Sequence, residues 1–219
     1  MNLKHVKTLF FDYDGTIHDS LYIYKPAFLK AYEMLVEEGY RKSREWQDHV
    51  VMPFLGQSPK EMWDSFGPDL PERIKQRASD LIGNTMKILI EEQKAKLYPH
   101  AFETLVTLKS RGYTLVFISN CRTQYMKDHT VQFKLDTVFS SMVCAEMYDY
   151  LPKEVILKSI ISNFEGDYAI IGDRHHDIKA GKFNEITTIG CRYGFGKSDE
   201  LSDADFHIDK IIDLLELFL

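Results

Sequence analysis

The sequence predicts an α/β protein in which a doubly wound parallel sheet carries an inserted helical domain. An apolar run of strand-forming residues, 6–11, opens the chain, and from Pro99 onward helical segments alternate with short apolar strands. Residues 21–96 lie between these parts and show helical patterns with hardly any β-branched runs. Strands that alternate with helices of this length form right-handed βαβ units, so we expect a Rossmann-like sheet with helices on both faces.

Helical signals fill the segment between the first strand and the alternating part. Apolar residues at helical spacing predict a helix over residues 24–38. Ser58 with Pro59 is typical of a capped helix start, and Pro71 opens a further amphipathic helix that runs to about residue 96. No predicted strand interrupts these helices, so we expect them to form a domain of their own. The predicted domains are residues 1–19 with 97–219, the α/β domain, and residues 20–96, the helical cap.

Local signals define the elements of the alternating part. Gly112 ends one predicted helix, and Gly172 follows an apolar strand. The predicted helices are 100–111, 122–133, 152–164 and 209–218, and the predicted strands are 113–118, a short strand within 137–143, 168–171, 186–191 and 206–208. His175 and His176 are expected to be loop residues and not metal ligands, because adjacent side chains rarely face the same ion.

Composition narrows the class of protein. The chain has 219 residues, of which 44% are hydrophobic and 27% are charged, as in a soluble globular protein. A net charge of -6 argues against nucleic acid as the main partner, and no apolar run is long enough to cross a membrane. The three cysteines are too scattered for a disulfide framework and fit a reducing cytosol, so we expect a cytoplasmic protein. The sequence carries no signal of oligomeric state.

Polar side chains follow three of the predicted strands. These residues are Asp12 and Asp14, then Ser119 and Asn120, and finally Asp173 and Asp177. Ligands of open α/β sheets bind outside the carboxyl ends of the strands, so neighbouring strands would bring these residues to one crevice. A cluster of oxygen ligands without His or Cys suits Mg²⁺. Lys153 could add a positive charge, and metal and lysine together would neutralise a phosphoryl group that a carboxylate attacks.

Four motifs in order give the chain a family resemblance. Residues 12–16, Asp-Tyr-Asp-Gly-Thr, match the DxDGT signature of the haloacid dehalogenase-like phosphohydrolases. Ser119 resembles the second motif of that family, Lys153 the third, and residues 172–177 the fourth, of form GDxxxD. The helical insertion resembles the small α-helical cap of the family, and residues 193–206 are similar to its phosphoglycolate phosphatase-like branch.

The resemblance implies a role for each motif residue. Asp12 would be the nucleophile that forms an aspartyl-phosphate, and Asp14 would protonate the leaving oxygen and then deprotonate the hydrolytic water. Mg²⁺ would be held by Asp12, the backbone carbonyl of Asp14, Asp173 and Asp177, the last directly or through water. The transferring phosphoryl group would be bound by Ser119 and Lys153, with help from Asn120, Gly15 and Thr16.

The leading hypothesis is therefore a Mg²⁺-dependent phosphatase that hydrolyses a small phosphorylated metabolite beneath a closing cap. A sugar phosphomutase of the same fold is an alternative, because the core motifs are shared. A nucleotidase or a pyrophosphatase is equally compatible with them, because the cap sets the substrate. A non-catalytic phosphate-binding module is a further alternative that intact motifs disfavour.

Overall fold

A computed structural model of the protein describes residues 3–57 and 59–219, so the helix cap predicted at Ser58 lies outside the described residues. The chain divides into two compact units. One comprises the chain up to Asp19 together with Leu97–Leu219, and the other is Ser20–Lys96.

The first unit is built on a parallel six-stranded sheet. Its strands are β1 (Val6–Phe11), β2 (Thr114–Ser119), β3 (Ser141–Cys144), β4 (Asp167–Gly172), β5 (Thr187–Cys191) and β6 (Phe206–Ile208). The spatial order is β3-β2-β1-β4-β5-β6, with every neighbouring pair parallel. The strand order reverses beside β1, and a crevice forms outside the carboxyl ends of the strands at such a point. The predicted fold class is confirmed, and the ends of β1, β2 and β4 are neighbours.

The described residues form nine α-helices. The second unit contains α1 (Leu21–Glu37), α2 (Asp48–Val51), α3 (Pro59–Phe66) and α4 (Glu72–Glu91), and the first contains α5 (Ala101–Ser110), α6 (Thr123–Phe133), α7 (Lys153–Ile160), α8 (His175–Phe183) and α9 (Leu214–Leu217). None of them, within the described residues, is long and apolar enough to span a bilayer.

Helices cover both faces of the sheet because side chains alternate along each strand. In β1, Leu9 and Phe11 belong to one buried cluster, which includes Leu105 of α5. Phe10 belongs to a second cluster on the opposite face, together with Ile156 of α7. All three β1 side chains are fully buried. A strand buried on both faces must be apolar throughout, and this explains the continuous run that opens the sequence.

Helix α8 departs from the sequence-based expectation. It begins at His175, so His175 and His176 lie in its first turn and not in a loop. The Asp177 carboxylate caps this turn by accepting the backbone N–H of Arg174 at 3.0 Å. Gly181 weakens the helical pattern, yet a Cβ there would overlap the side chains of Ile170 and Thr188. The glycine therefore serves close helix–sheet packing, which the sequence alone does not reveal.

Two helix ends also differ from expectation. Helix α4 stops at Glu91 because Gln93 takes a left-handed conformation with φ of 58°, and the Lys94 N–H donates to the carbonyl of Leu89. The predicted helix over residues 209–218 is a 3₁₀ turn followed by the short α9. The carboxylate of Asp213 accepts the backbone N–H groups of Asp209 and Lys210, which delays the start of helical structure.

In the described residues of the second unit, helices are joined by turns and loops and no strand is found. Helices α1 and α4 pack along each other through small and branched residues, including Ala27, Ala31, Ile74 and Ala78. A second cluster is aromatic, with Phe28 in edge-to-face contact with Trp46 at 4.8 Å between ring centroids. Aromatic pairs in this geometry add to the stability gained from burial.

Candidate active site

Three carboxylates converge at the carboxyl ends of β1 and β4. Asp12 follows β1, Asp173 follows β4, and Asp177 lies in the first turn of α8. All three are buried, and one oxygen of each lies within 4.8 Å of the others. The backbone N–H of Asp12 donates to the carbonyl of Ile171 at 2.9 Å, which extends the strand pairing as far as the site. Neighbouring parallel strands therefore hold the first two acids side by side.

Lys153 neutralises part of this charge. Its Nζ atom lies 2.7 Å from Oδ1 of Asp12 and 2.6 Å from Oδ1 of Asp177. Burial lowers the pKa of Lys153, but the two carboxylates outweigh that effect and hold the pKa above its usual range. Burial, reinforced by the Asp177 charge and opposed by Lys153, raises the pKa of Asp12 to about 7. Burial also raises the pKa of Asp173 well above its ordinary value, with the two neighbouring carboxylates adding to the effect.

The donor set of this cluster fits a divalent cation. Three buried carboxylates lie close together beside the Lys153 ammonium group, and the raised pKa of Asp12 and of Asp173 shows that the charge of Lys153 does not fully offset theirs. Uncompensated buried charge is strongly unfavourable. A doubly charged ion that prefers oxygen ligands would offset this charge, and Mg²⁺ is one ion of this kind that also binds phosphate oxygens.

Asp173 is held by its own set of neighbours. The backbone N–H of Phe195 donates to Oδ2 of Asp173 at 2.7 Å, and the hydroxyl of Thr16 lies 3.4 Å from Oδ1. Gly15 packs directly on this carboxylate, and its φ of +83° is in the left-handed region. A Cβ at Gly15 would overlap the Asp173 carboxyl group. The glycine of the first motif therefore lets the backbone approach the acid of the fourth.

Gly15→Ala is expected to lower both stability and activity, because it adds a steric overlap to an unfavourable φ. Gly112→Ala is the matched control: Gly112 has φ of +90°, and no described atom lies within 4 Å of the added Cβ. We expect the control to destabilise by about 1–2 kcal/mol with unchanged activity. Urea unfolding and turnover of both variants measure the difference. Equal losses in the two variants would contradict a packing role for Gly15.

The predicted phosphate-binding residues lie at the same edge of the sheet. Ser119 ends β2 and is buried, and Asn120 follows it and is half-buried. The Ser119 hydroxyl accepts the backbone N–H of Cys121 at 3.4 Å and still has a proton to donate. The backbone N–H of Gly15 instead donates to the carbonyl of His18, and the Thr16 hydroxyl faces Asp173. These two groups are engaged within the protein, so we do not assign them a phosphate contact.

The Asp14 side chain lies apart from the acidic cluster. Its Oδ1 atom is 2.8 Å from Nδ1 of His18 and accepts the hydroxyl proton of Tyr125 at 2.7 Å. The Asp14 side chain is 18% exposed, whereas those of Asp12 and Asp177 are almost fully buried. Neither His18 nor Tyr125 was predicted as a site residue. The sequence signal closest to this site was a histidine, His18, two residues after the DxDGT motif.

Comparison with protein families identifies the type of site. The haloacid dehalogenase-like hydrolase family matches residues 9–191, which include the whole acidic cluster and Lys153. The chain belongs to this family. The resemblance seen in the four sequence motifs is thus confirmed, and the protein is a haloacid dehalogenase-like hydrolase.

Two curated relatives of this haloacid dehalogenase-like hydrolase align over nearly its full length. A phosphoglycolate phosphatase of Vibrio vulnificus is 22% identical, over 100% of this chain and 99% of that protein. A pyrophosphatase of Anoxybacillus flavithermus is 22% identical over 97% of both chains. Among solved structures, a predicted phosphoglycolate phosphatase from Haemophilus somnus has a TM-score of 0.83 and 21% identity, with complete coverage of both chains. At these identities the structural likeness shows a common fold.

Proposed function

We propose that the protein is a Mg²⁺-dependent phosphatase that hydrolyses a small phosphomonoester through an aspartyl-phosphate on Asp12. One observation carries this proposal: a buried carboxylate, Asp12, is oriented by Lys153 in an acidic cluster while a second carboxylate, Asp14, lies outside that cluster. A nucleophile and a separate acid/base are the two groups that this chemistry needs. The phosphatase names of the curated relatives support the same class of reaction.

In the first step, an oxygen of Asp12 attacks phosphorus and the bond from phosphorus to the leaving oxygen breaks. The hydrogen bond from Lys153 to Oδ1 sets the rotation of the Asp12 carboxylate before the attack. Asp14 gives its proton to the departing oxygen, so that an alcohol leaves in place of an alkoxide. In the second step, Asp14 takes a proton from water, the water oxygen attacks phosphorus, and the bond to Asp12 breaks to release phosphate.

Mg²⁺ would be held by the carboxylates of Asp12, Asp173 and Asp177 and by the backbone carbonyl of Asp14. When bound, the ion would supply positive charge that offsets the phosphoryl oxygens and the nucleophile. The Ser119 hydroxyl and the Asn120 backbone N–H would donate to the phosphoryl oxygens, and Lys153 would add its charge. Donors arranged in advance stabilise the transition state without reorganising.

The helical unit, residues 20–96, is proposed to be the cap that selects the substrate. In the chain this unit directly follows the segment that contains β1 and the DxDGT turn. Cap closure would exclude bulk water from the reaction. We further propose that the enzyme acts in the cytoplasm on a phosphorylated metabolite. Pyrophosphate is a second candidate substrate, favoured by the curated pyrophosphatase relative.

A panel of phosphate compounds tests this proposal. Purified protein is incubated with phosphoglycolate, pyrophosphate, sugar phosphates, nucleoside monophosphates and an aryl phosphate, and the released phosphate is measured. We expect release that requires added Mg²⁺ and stops with a chelator. A sugar 1-phosphate that is isomerised without release of phosphate would indicate a mutase instead. No reaction with any compound in the presence of Mg²⁺ would refute the proposal.

A further inference from the structure

We propose that His18 and Tyr125 are positioning residues that orient Asp14 for its proton transfers. This inference rests on the proposed function, in which Asp14 is the acid/base. Both residues hydrogen-bond the same carboxylate oxygen: His18 Nδ1 at 2.8 Å and the Tyr125 hydroxyl at 2.7 Å from Asp14 Oδ1. The Tyr125 oxygen is also 3.1 Å from Nδ1 of His18, so the three groups form a closed triangle.

The triangle distinguishes the two oxygens of Asp14. His18 and Tyr125 both donate to Oδ1, so the lone pairs of this oxygen are engaged. No hydrogen bond to Oδ2 is found among residues 3–57 and 59–219. A proton on a carboxyl group is placed on the oxygen that does not accept hydrogen bonds from two donors. We therefore assign Oδ2 as the atom that carries the transferred proton, and the triangle determines the direction in which this atom points.

The imidazole of His18 is held rigidly for this task. It is fully buried and stacks on the ring of Tyr13, with 5.2 Å between centroids and 15° between planes. The ring of His129 lies against it edge to face at 4.5 Å. The hydroxyl of Tyr13 and Nδ1 of His129 are 2.7 Å apart, which fixes these two supports to each other. Packing on two sides fixes the plane of the imidazole, and the hydrogen bond of Nδ1 with Asp14 fixes which edge of the ring faces that carboxylate.

The second nitrogen of His18 indicates which tautomer is present. Nε2 is buried and has no hydrogen-bond partner within the described part of the chain. A buried N–H without an acceptor is unfavourable, so the proton belongs on Nδ1, where the Asp14 carboxylate accepts it. A histidine that served packing alone would gain nothing from this arrangement, because an apolar side chain fills the same space without an unpaired nitrogen. The shorter of the two polar contacts of Nδ1 is the one with Asp14, at 2.8 Å, against 3.1 Å to the Tyr125 hydroxyl.

The positioning role has a kinetic signature that depends on the leaving group. In the first step Asp14 gives a proton to the leaving oxygen as the bond from that oxygen to phosphorus breaks. An alkoxide needs this proton, whereas a dinitrophenolate is stable without it. The value of kcat/KM reports the steps up to departure of the leaving group. If Asp14 is displaced, kcat/KM should therefore fall for alkyl phosphates and change little for dinitrophenyl phosphate.

The test compares Tyr125→Phe, which removes one donor and keeps the ring, with Tyr168→Phe as matched control. The Tyr168 hydroxyl donates to the Phe164 carbonyl, away from the acidic cluster. For Tyr125→Phe we expect kcat/KM to fall about 10- to 100-fold with an alkyl phosphate and less than about twofold with dinitrophenyl phosphate. Water attack still needs Asp14 as base, so dinitrophenolate should appear in a burst of about one equivalent per active site. The control should show neither effect.

His18 is tested by a pair of substitutions. His18→Leu removes the donor, while His18→Asn retains an N–H donor close to the position of Nδ1. We expect the first to show the same selectivity as Tyr125→Phe and the second to recover most of the alkyl phosphate activity. Should His18→Leu fail to fold, Tyr125→Phe alone carries the test.

The outcomes separate this inference from the proposed function. Equal losses with both substrates, or no loss in Tyr125→Phe, overturn the positioning role while the wild type remains a phosphatase. An inactive wild type refutes the proposed function itself, and the inference then falls with it.

Discussion

Asp12→Asn is expected to abolish turnover, with a loss of about 10⁴-fold or more in kcat. An amide oxygen is a poor nucleophile, and an amide cannot form the aspartyl-phosphate. Steady-state release of phosphate measures the loss, using the best substrate of the panel. Acid-quenched incubation with labelled substrate should trap a phosphorylated wild-type protein and no phosphorylated variant.

The fold of this variant should survive, and its stability reports the electrostatics of the cluster. Burial raises the pKa of Asp12 from 3.8 to about 7 in the folded protein. Between these pH values the folded state holds a proton that the unfolded state has released, so the stability of the metal-free wild type falls as pH rises. Asparagine does not titrate, so the stability of Asp12→Asn should not show this fall with rising pH. Without added metal the variant should be more stable than the wild type at pH near 7 by a few kcal/mol, a gap that closes towards pH 4.

Asp167→Asn is the matched control, because Asp167 is exposed at the start of β4 in the same unit. It should retain wild-type turnover and the pH dependence of wild-type stability. Residual turnover of Asp12→Asn above a few per cent, with its fold intact, would exclude Asp12 as the nucleophile. A stability gap between this variant and the wild type that does not change between pH 4 and pH 7 would contradict the raised pKa.

Lys153→Met should lower both activity and stability. The ammonium group touches two members of the acidic cluster, Asp12 and Asp177. Removing one partner of a buried ion pair leaves unpaired charge, which destabilises by about 3–5 kcal/mol. Loss of a preorganised positive group beside the reacting phosphoryl group should lower kcat by about 10²- to 10³-fold. Turnover and urea unfolding, with and without Mg²⁺, measure both effects.

Lys158→Met on the same helix, α7, is the control, because Lys158 is exposed and does not touch the cluster. It should leave turnover unchanged. Added Mg²⁺ should recover part of the stability lost in Lys153→Met, since the ion offsets the same carboxylates. Near-wild-type turnover of Lys153→Met would show that the lysine is not needed to orient Asp12 or to bind the phosphoryl group.

Local patterns were sufficient for most of the α/β unit. The strand that ends at Phe11 is apolar because it is buried on both faces, and that pattern is visible in sequence. The prediction that Asp12, Ser119 and Asp173 meet in one crevice rests on a general rule: ligands of open parallel sheets bind outside the carboxyl ends of the strands. The rule applies only if the three strands are neighbours, and the observed order places β1 between β2 and β4. Their catalytic and binding roles stay predictions that the substitutions above test.

Tertiary contacts account for what the sequence did not indicate. Helix α8 was missed because Gly181 weakens its pattern, although the sheet beneath leaves no room for a side chain there. The contact between Tyr125 and Asp14 joins residues 111 positions apart, and no periodicity encodes it. The same is true of the Phe195 N–H that binds Asp173. These contacts depend on how α6 and the loop after β5 pack on the sheet.

The sequence by itself determined the family, the parallel sheet and the order of the acids along the chain, because each depends on residues close together in a motif or on the spacing of apolar positions. Only the tertiary structure decided which acids share one buried cluster with Lys153 and which acid stands apart with His18 and Tyr125. That division depends on distances of a few ångströms between side chains from different elements. Asp12 and Asp14 are separated by a single residue, yet packing places them in different surroundings, and this difference supports their different chemical roles.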